Sequence, residues 1–194
     1  MLRVKQVVRE VCADLDRRGV PFKRDLPTGS MIEVPSAVEV ADVLAKENAF
    51  FSIGTNDLIQ YSLAVDRVNE KIAHMYEPAH PAVLRMIHRT VVAAKAAGIP
   101  CAICGEMAGD PLFSEVLLGL GISSLSMSAV AIPAVRAEIV NLRYRHAKRF
   151  ASKLLKMGSV KEIRETMVKR YRQRHTELGP FELDDAEKLV SGDN

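Results

Sequence analysis

The stretch Phe50–Arg67, FFSIGTNDLIQYSLAVDR, decides the fold. It opens on aromatic and β-branched residues that suit a pleated, half-buried strand. At Gly54 the character changes abruptly to Thr55, Asn56 and Asp57, three polar side chains at the strand's C-terminal end. The remainder, NDLIQYSLAVDR, reads as either a loop or an irregular helix. A strand that ends on polar residues and passes into a helical connection is the repeating unit of α/β proteins.

The same succession recurs on both sides. GSMIEVP reads as a short strand, Ser30 to Val34, with Glu33 at its end; PCAIC reads as a third, ending on Cys104; SLSMS, Ser124 to Ser128, reads as a fourth. Helical signals separate them. Val4, Val7, Val8, Val11 and Leu15 recur at helical spacing until Gly19 and Pro21 stop them. Ser36 followed by Glu39 has the form of a capping box opening a helix through Val40, Val43 and Leu44. Pro81 starts a long helix with Val83, Leu84, Ile87 and Val91 on one stripe. Asp110-Pro111 is an N-cap with a first-turn proline, leading into Leu112 to Leu120, and Pro133 begins another helix.

A helix followed by four β-α units predicts parallel strands joined by right-handed helical crossovers. Doubly wound sheets and β/α barrels both begin this way. Short strands with functional residues at their C-terminal ends favour the barrel, whose chemistry sits on the loops after the strands. A closed barrel of this type has eight strands; four are legible here.

Composition narrows the class. The chain has 194 residues, of which 48% are hydrophobic, enough for one substantial core. A net charge of +3 argues neither for nor against a nucleic-acid partner. No apolar run is long enough to span a membrane, and nothing has the form of a secretory leader. Three cysteines, an odd number, fit a reducing cytoplasm better than a disulfide framework. Beyond Leu142 the chain turns basic: from Arg143 to Arg174 there are twelve Lys or Arg and two Glu. Ala147, Phe150, Ala151, Leu154 and Leu155 keep helical spacing, so this part reads as a pair of solvated helices packed on the rest. An RNA-binding face would call for a motif or interleaved aromatics, and neither is present. The expected division is 1–142 for the β/α part, 143–176 for the basic helices and 177–194 for a peripheral acidic tail.

Glu33 and Asp57 close two successive strands. Neighbouring parallel strands lie ~4.8 Å apart, so the pair is expected side by side at one mouth of the sheet. Two carboxylates that close repel unless a proton or cation lies between them. Hard oxygen ligands with room for water and substrate oxygens suit Mg²⁺ or Mn²⁺. Singly, Glu33 could cap a helix and Asp57 could make a turn. Gly54 is expected to let backbone approach a ligand, and Arg67, ten residues past Asp57, could grip a phosphate or carboxylate with two prongs. Cys101 and Cys104 have C-x-x-C spacing, yet three-apart residues of a strand face opposite ways. No second C-x-x-C completes a zinc site, and no helix N-terminus activates the pair as in thioredoxin. Cys101 therefore reads as core, and Cys104, beside the carboxylates, as a candidate acid or nucleophile, with Gly105 leaving room for substrate.

MIEVPSA, FFSIGTNDLIQYSLAVDR, CGEMAGDP and SLSMSAVAIP, in this order and spacing, closely resemble the phosphoenolpyruvate-utilising enzymes. Gln60-Tyr61 with Ala64-x-Asp66-Arg67 resembles the branch that phosphorylates a protein more than the dikinase or synthase branches. The similarity runs from about Leu2 to Asn141. It implies that Glu33 and Asp57 bind Mg²⁺, that Asn56 and Arg67 contact the phosphate of phosphoenolpyruvate, and that Cys104 protonates the enolate that becomes pyruvate. It also implies a cytoplasmic enzyme, homodimeric, passing its phosphoryl group to a histidine on a separate domain and on to the carrier protein HPr. No such domain is in this sequence, and the chain corresponds to the C-terminal half of a (β/α)8 barrel with extra C-terminal helices. Such a half should have two open strand edges and an apolar inner face, and should associate. A Mg²⁺-dependent lyase acting through pyruvate enolate, and a non-catalytic dimerisation module, are the alternatives.

Overall fold

A computed structural model describes residues 1–178, so the expected peripheral tail lies, from residue 179 on, outside the described residues. The elements follow in order: α1 (Leu2–Arg17), β1 (Ser30–Ile32), α2 (Pro35–Glu39), α3 (Ala41–Ala45), β2 (Phe51–Gly54), α4 (Thr55–Leu63), α5 (Pro81–Ala96), β3 (Cys101–Cys104), α6 (Glu106–Gly109), α7 (Pro111–Leu120), β4 (Ser124–Ser126), α8 (Ile132–Val140), α9 (Tyr144–Leu154) and α10 (Val160–Leu178). Short 3₁₀ turns occupy Ala73–Met75 and Ala129–Ala131. None of the described helices is long and apolar enough to cross a membrane.

The four strands form one parallel sheet in the order β1-β2-β3-β4. Parallel neighbours cannot be joined by tight turns, and here each is reached through helices. The register aligns Ile32 with Ile53, Ile53 with Ile103 and Ile103 with Leu125. These residues, with Phe51 and Cys101, face the helices and join a core with Leu58, Ile87 and Leu117. The alternate residues, Met31, Ser52, Ala102 and Ser124, form the opposite face. That face was expected to be apolar. Apart from Met31 it carries small and polar side chains, because the apolar positions of every strand are spent on the helix-covered side.

The helices follow their sequence signals with three exceptions, the first being that the helix expected through Val40 to Leu44 breaks at Val40 into α2 and α3. The stripe of α1 forms, yet no residue of α1 is buried: Val4 is 52%, Val7 43% and Val11 51% exposed. The capping box at Ser36 and Glu39 does not form. Pro35 enters the first turn, so Val34 is the N-cap and offers no side-chain bond. Glu39 instead reaches Arg89 of α5 with both carboxylate oxygens, at 2.5 and 2.7 Å. The ambiguous stretch after β2 is a regular helix, α4, which stops at Ala64 in the left-handed conformation, φ 54°.

The basic helices share the central core through Ala151, Leu154, Ile163 and Met167. Each large apolar side chain buried this way contributes about 1.5–3 kcal/mol. α9 lies so close on α7 that a Cβ on Gly119 would overlap the backbone carbonyl of Ala147. α10 is held by charges that composition alone did not disclose. Glu115 of α7, 2% exposed, pairs with Arg170 and Arg174, each at 3.1 Å. Glu138 of α8 pairs with Arg174 at 2.8 Å and with His175 at 2.7 Å.

Candidate functional site

The strand register carries Glu33 level with Gly54, since Ile32 pairs with Ile53, and Gly54 level with Cys104. Glu33 and Cys104 thus flank Gly54 on the open face, at the C-terminal edge of the sheet. A Cβ on Gly54 would lie 2.8 Å from Glu33 Oε2 and 3.0 Å from Met31 Sδ. Gly54 was expected to admit a ligand to the backbone; its bareness admits the Glu33 carboxylate instead. Asp57 stands in the first turn of α4, three residues beyond Gly54, where a carboxylate complements the helix N-terminus. Both Glu33 and Asp57 are half-buried, and neither has a hydrogen bond or ion pair among the described residues.

The ends of β2 and β3 are tied together. Thr55 Oγ1 donates to the Cys104 carbonyl at 2.8 Å, and the Glu106 N–H donates to Asn56 Oδ1 at 3.1 Å. Gly105 makes this possible. Its φ is +113°, and a Cβ there would strike the Thr55 hydroxyl and lie 2.8 Å from Asn56 Oδ1. Gly105 was expected to leave space for substrate; the space is taken by these two side chains. Asn56 is oriented by the bond to Glu106, with its amide nitrogen left over for a further acceptor.

Arg67 returns to the same place. The left-handed Ala64 turns the chain, Gln60 Oε1 accepts the Arg67 N–H at 3.3 Å, and the guanidinium pairs with Glu106 at 2.9 Å. Tyr76 closes the cluster, its hydroxyl donating at 3.5 Å to the Asn56 carbonyl. Burial first, and then the charge of Glu106, push the Tyr76 phenol up to about 12, so it stays a neutral donor. The Cys104 thiol donates to the Ile53 carbonyl at 3.5 Å and accepts from Ser52 Oγ at 3.7 Å. Cys101 faces the other way into the core, where burial pushes its thiol up to about 12; all three cysteines are free.

Glu33 and Cys104 are therefore brought to one face, and Asn56 and Arg67 to one partner, Glu106. Sequence reasoning missed Glu106, although it sits inside a quoted block, because an exposed glutamate next to glycine carries no distinctive pattern. It missed Thr55 and Gln60 as positioning groups and had no signal for Tyr76. No three His, Cys, Asp or Glu side chains converge among the described residues, which excludes a ready-made zinc-type cage there. Two unpaired carboxylates at one edge are a donor set that suits Mg²⁺, an ion that keeps several waters and substrate oxygens.

Comparison with known proteins gives the family. The family described as PEP-utilising enzyme, PEP-binding domain, matches residues 1–144. The chain is 42% identical over 163 residues to the phosphoenolpyruvate-protein phosphotransferase of Priestia megaterium, covering 84% of this chain and 28% of that protein. It is 43% identical over 159 residues to the protein of that name from Bacillus subtilis (strain 168), and 44% over 160 residues to that from Haemophilus influenzae; each match covers 82% of this chain and 28% of the relative. The chain thus spans under a third of the length of these relatives. With its sequence motifs gathered at one edge of a parallel sheet, the chain belongs to the PEP-utilising enzymes, in their PEP-binding domain.

Proposed function

We propose that the chain is the PEP-binding portion of a phosphoenolpyruvate–protein phosphotransferase, and that its four β-α units are the C-terminal half of a (β/α)8 barrel. The phosphoryl group of phosphoenolpyruvate passes to an enzyme histidine and on to HPr, and pyruvate is released. The observation that carries this reading is the pair of unpartnered carboxylates, Glu33 and Asp57, on the same sheet edge as Cys104 and the Asn56–Glu106–Arg67 cluster. A homodimeric, cytoplasmic enzyme is part of the same reading.

Phosphoryl transfer chiefly needs positioning and charge neutralisation. Glu33 and Asp57 would hold Mg²⁺, with Mn²⁺ as a substitute, which when bound neutralises substrate oxygens. Arg67, pre-positioned by Gln60 and Glu106, offers a guanidinium to the phosphate, and Asn56 offers its amide. Loss of the phosphoryl group leaves pyruvate enolate, which needs a proton on carbon. The Cys104 S–H bond breaks as that C–H bond forms, and the Ser52 hydroxyl donates to the sulfur left negative.

The test has two readings. Mn²⁺ titrated into the chain and followed by water-proton relaxation should bind weakly, and Glu33→Ala or Asp57→Ala should each lower that affinity at least tenfold. Unchanged Mn²⁺ binding in both variants would overturn the site. Incubated alone with phosphoenolpyruvate, Mg²⁺ and HPr, the chain should yield no phospho-HPr by intact mass. Robust transfer would show that no separate histidine domain is required.

A further inference from the structure

A cleft opens at the other end of the sheet. It lies between α5, α7 and α9, below the first residue of β3, and has a volume of about 460 Å³. Small-molecule sites commonly fall at roughly 300–1,000 Å³. Val91, Leu120 and Leu155 supply an apolar wall, and Cys101 lies among the lining residues. The ammonium groups along it are those of Lys95 and Lys148; no Asp or Glu among the described residues lines it. The Lys95 and Lys148 ammonium groups have no hydrogen bond or ion pair among the described residues.

The sign of the ligand charge follows from weighing the sources. The C-terminal ends of α5 and α7 lie here, and each brings roughly half a negative charge. Both ends are capped: the Gly98 and Ile99 N–H groups donate to Lys95 and Ala94, and the Gly121 and Ile122 N–H groups to Leu118 and Leu117. Against those two partial charges stand two full lysine charges, so the cleft is left net positive.

We propose that this cleft binds an amphipathic monocarboxylate, its apolar body against Val91, Leu120 and Leu155 and its carboxylate between Lys95 and Lys148. The site is independent of the phosphoenolpyruvate reading. β3 runs from it to the other edge: Cys101 lies at the cleft and Cys104 at the opposite edge, three residues or about 10 Å away.

Octanoate is the probe, titrated calorimetrically into the chain. One saturable site is expected, with octanol, equal in apolar length but uncharged, binding at least tenfold more weakly. The double variant Lys95→Glu/Lys148→Glu changes two exposed side chains, so it should keep the parent Tm while losing octanoate affinity at least tenfold. Glu33→Ala and Asp57→Ala should leave octanoate binding unchanged, which separates failure of this site from failure of the metal site. The proposal is overturned if octanoate shows no saturable binding, if octanol binds equally well, or if the double variant keeps its affinity.

Discussion

Gly105 holds φ at +113° so that Thr55 and Asn56 can occupy the space a side chain would take. Gly105→Ala should cost about 1–3 kcal/mol from the backbone conformation alone, read as a lower urea midpoint. A midpoint unchanged from the parent would mean the loop tolerates a side chain and the tie between β2 and β3 is not needed. Cys104→Ala tests the proposed chemistry instead. In the proposed phosphotransferase it should slow pyruvate formation by about 10²–10⁴-fold while phosphoenolpyruvate binding persists; loss of binding in equal measure would make Cys104 a structural residue. Cys104 and Glu33 were legible because strand alternation assigns faces without further information. Gly54 and Gly105 were not, because a glycine announces that something lies close and not what. The neighbour proved to be protein in both cases.

At the scale of elements, the cap of α7 was fully legible: Asp110 accepts the Leu112 N–H at 2.8 Å. Its cost was not. Burial raises the Asp110 carboxyl above the usual aspartate range, against the opposing effects of the Leu112 bond and the Arg164 charge. The folded state therefore binds its proton more tightly than the unfolded chain does. The stability this lends is full below the ordinary aspartate pKa of 3.8 and is lost as pH rises through the raised folded value. Asp110→Asn keeps an acceptor for the cap and removes that dependence. It should be as stable as the parent or more so near pH 7, and its urea midpoint should fall less between pH 4 and 7. Asp110→Ala should lose about 1 kcal/mol with the cap. A steeper pH dependence in the Asn variant would contradict this account. The capping box at Ser36 failed for a local reason, since Pro35 took the first-turn position and moved the cap to Val34. The helical spacing of α1 was correct, but spacing tells which side of a helix is apolar and not whether anything covers it.

For the whole molecule, the α/β class and strand order were readable from the alternation of elements, while the fastening of α10 was not, because its partners are 36 and 55 residues away. Glu115→Gln should leave Arg170 and Arg174 poorly compensated and cost about 3 kcal/mol, measured as loss of urea stability; a change under about 0.5 kcal/mol, the usual surface range, would make the cluster dispensable. The exposed stripe of α1 and the unpaired edges of β1 and β4 should make the chain self-associate, giving a light-scattering mass that rises with concentration. A constant monomer mass at high concentration would contradict that. The sheet order has one more consequence. Each strand after β1 pairs with the one made just before it, so the sheet can grow in the order a ribosome delivers it, each β-α unit closing a short loop onto a finished edge. Arg170 and Arg174 emerge after all four strands, so the latch they make with Glu115 can close only once those strands have been made.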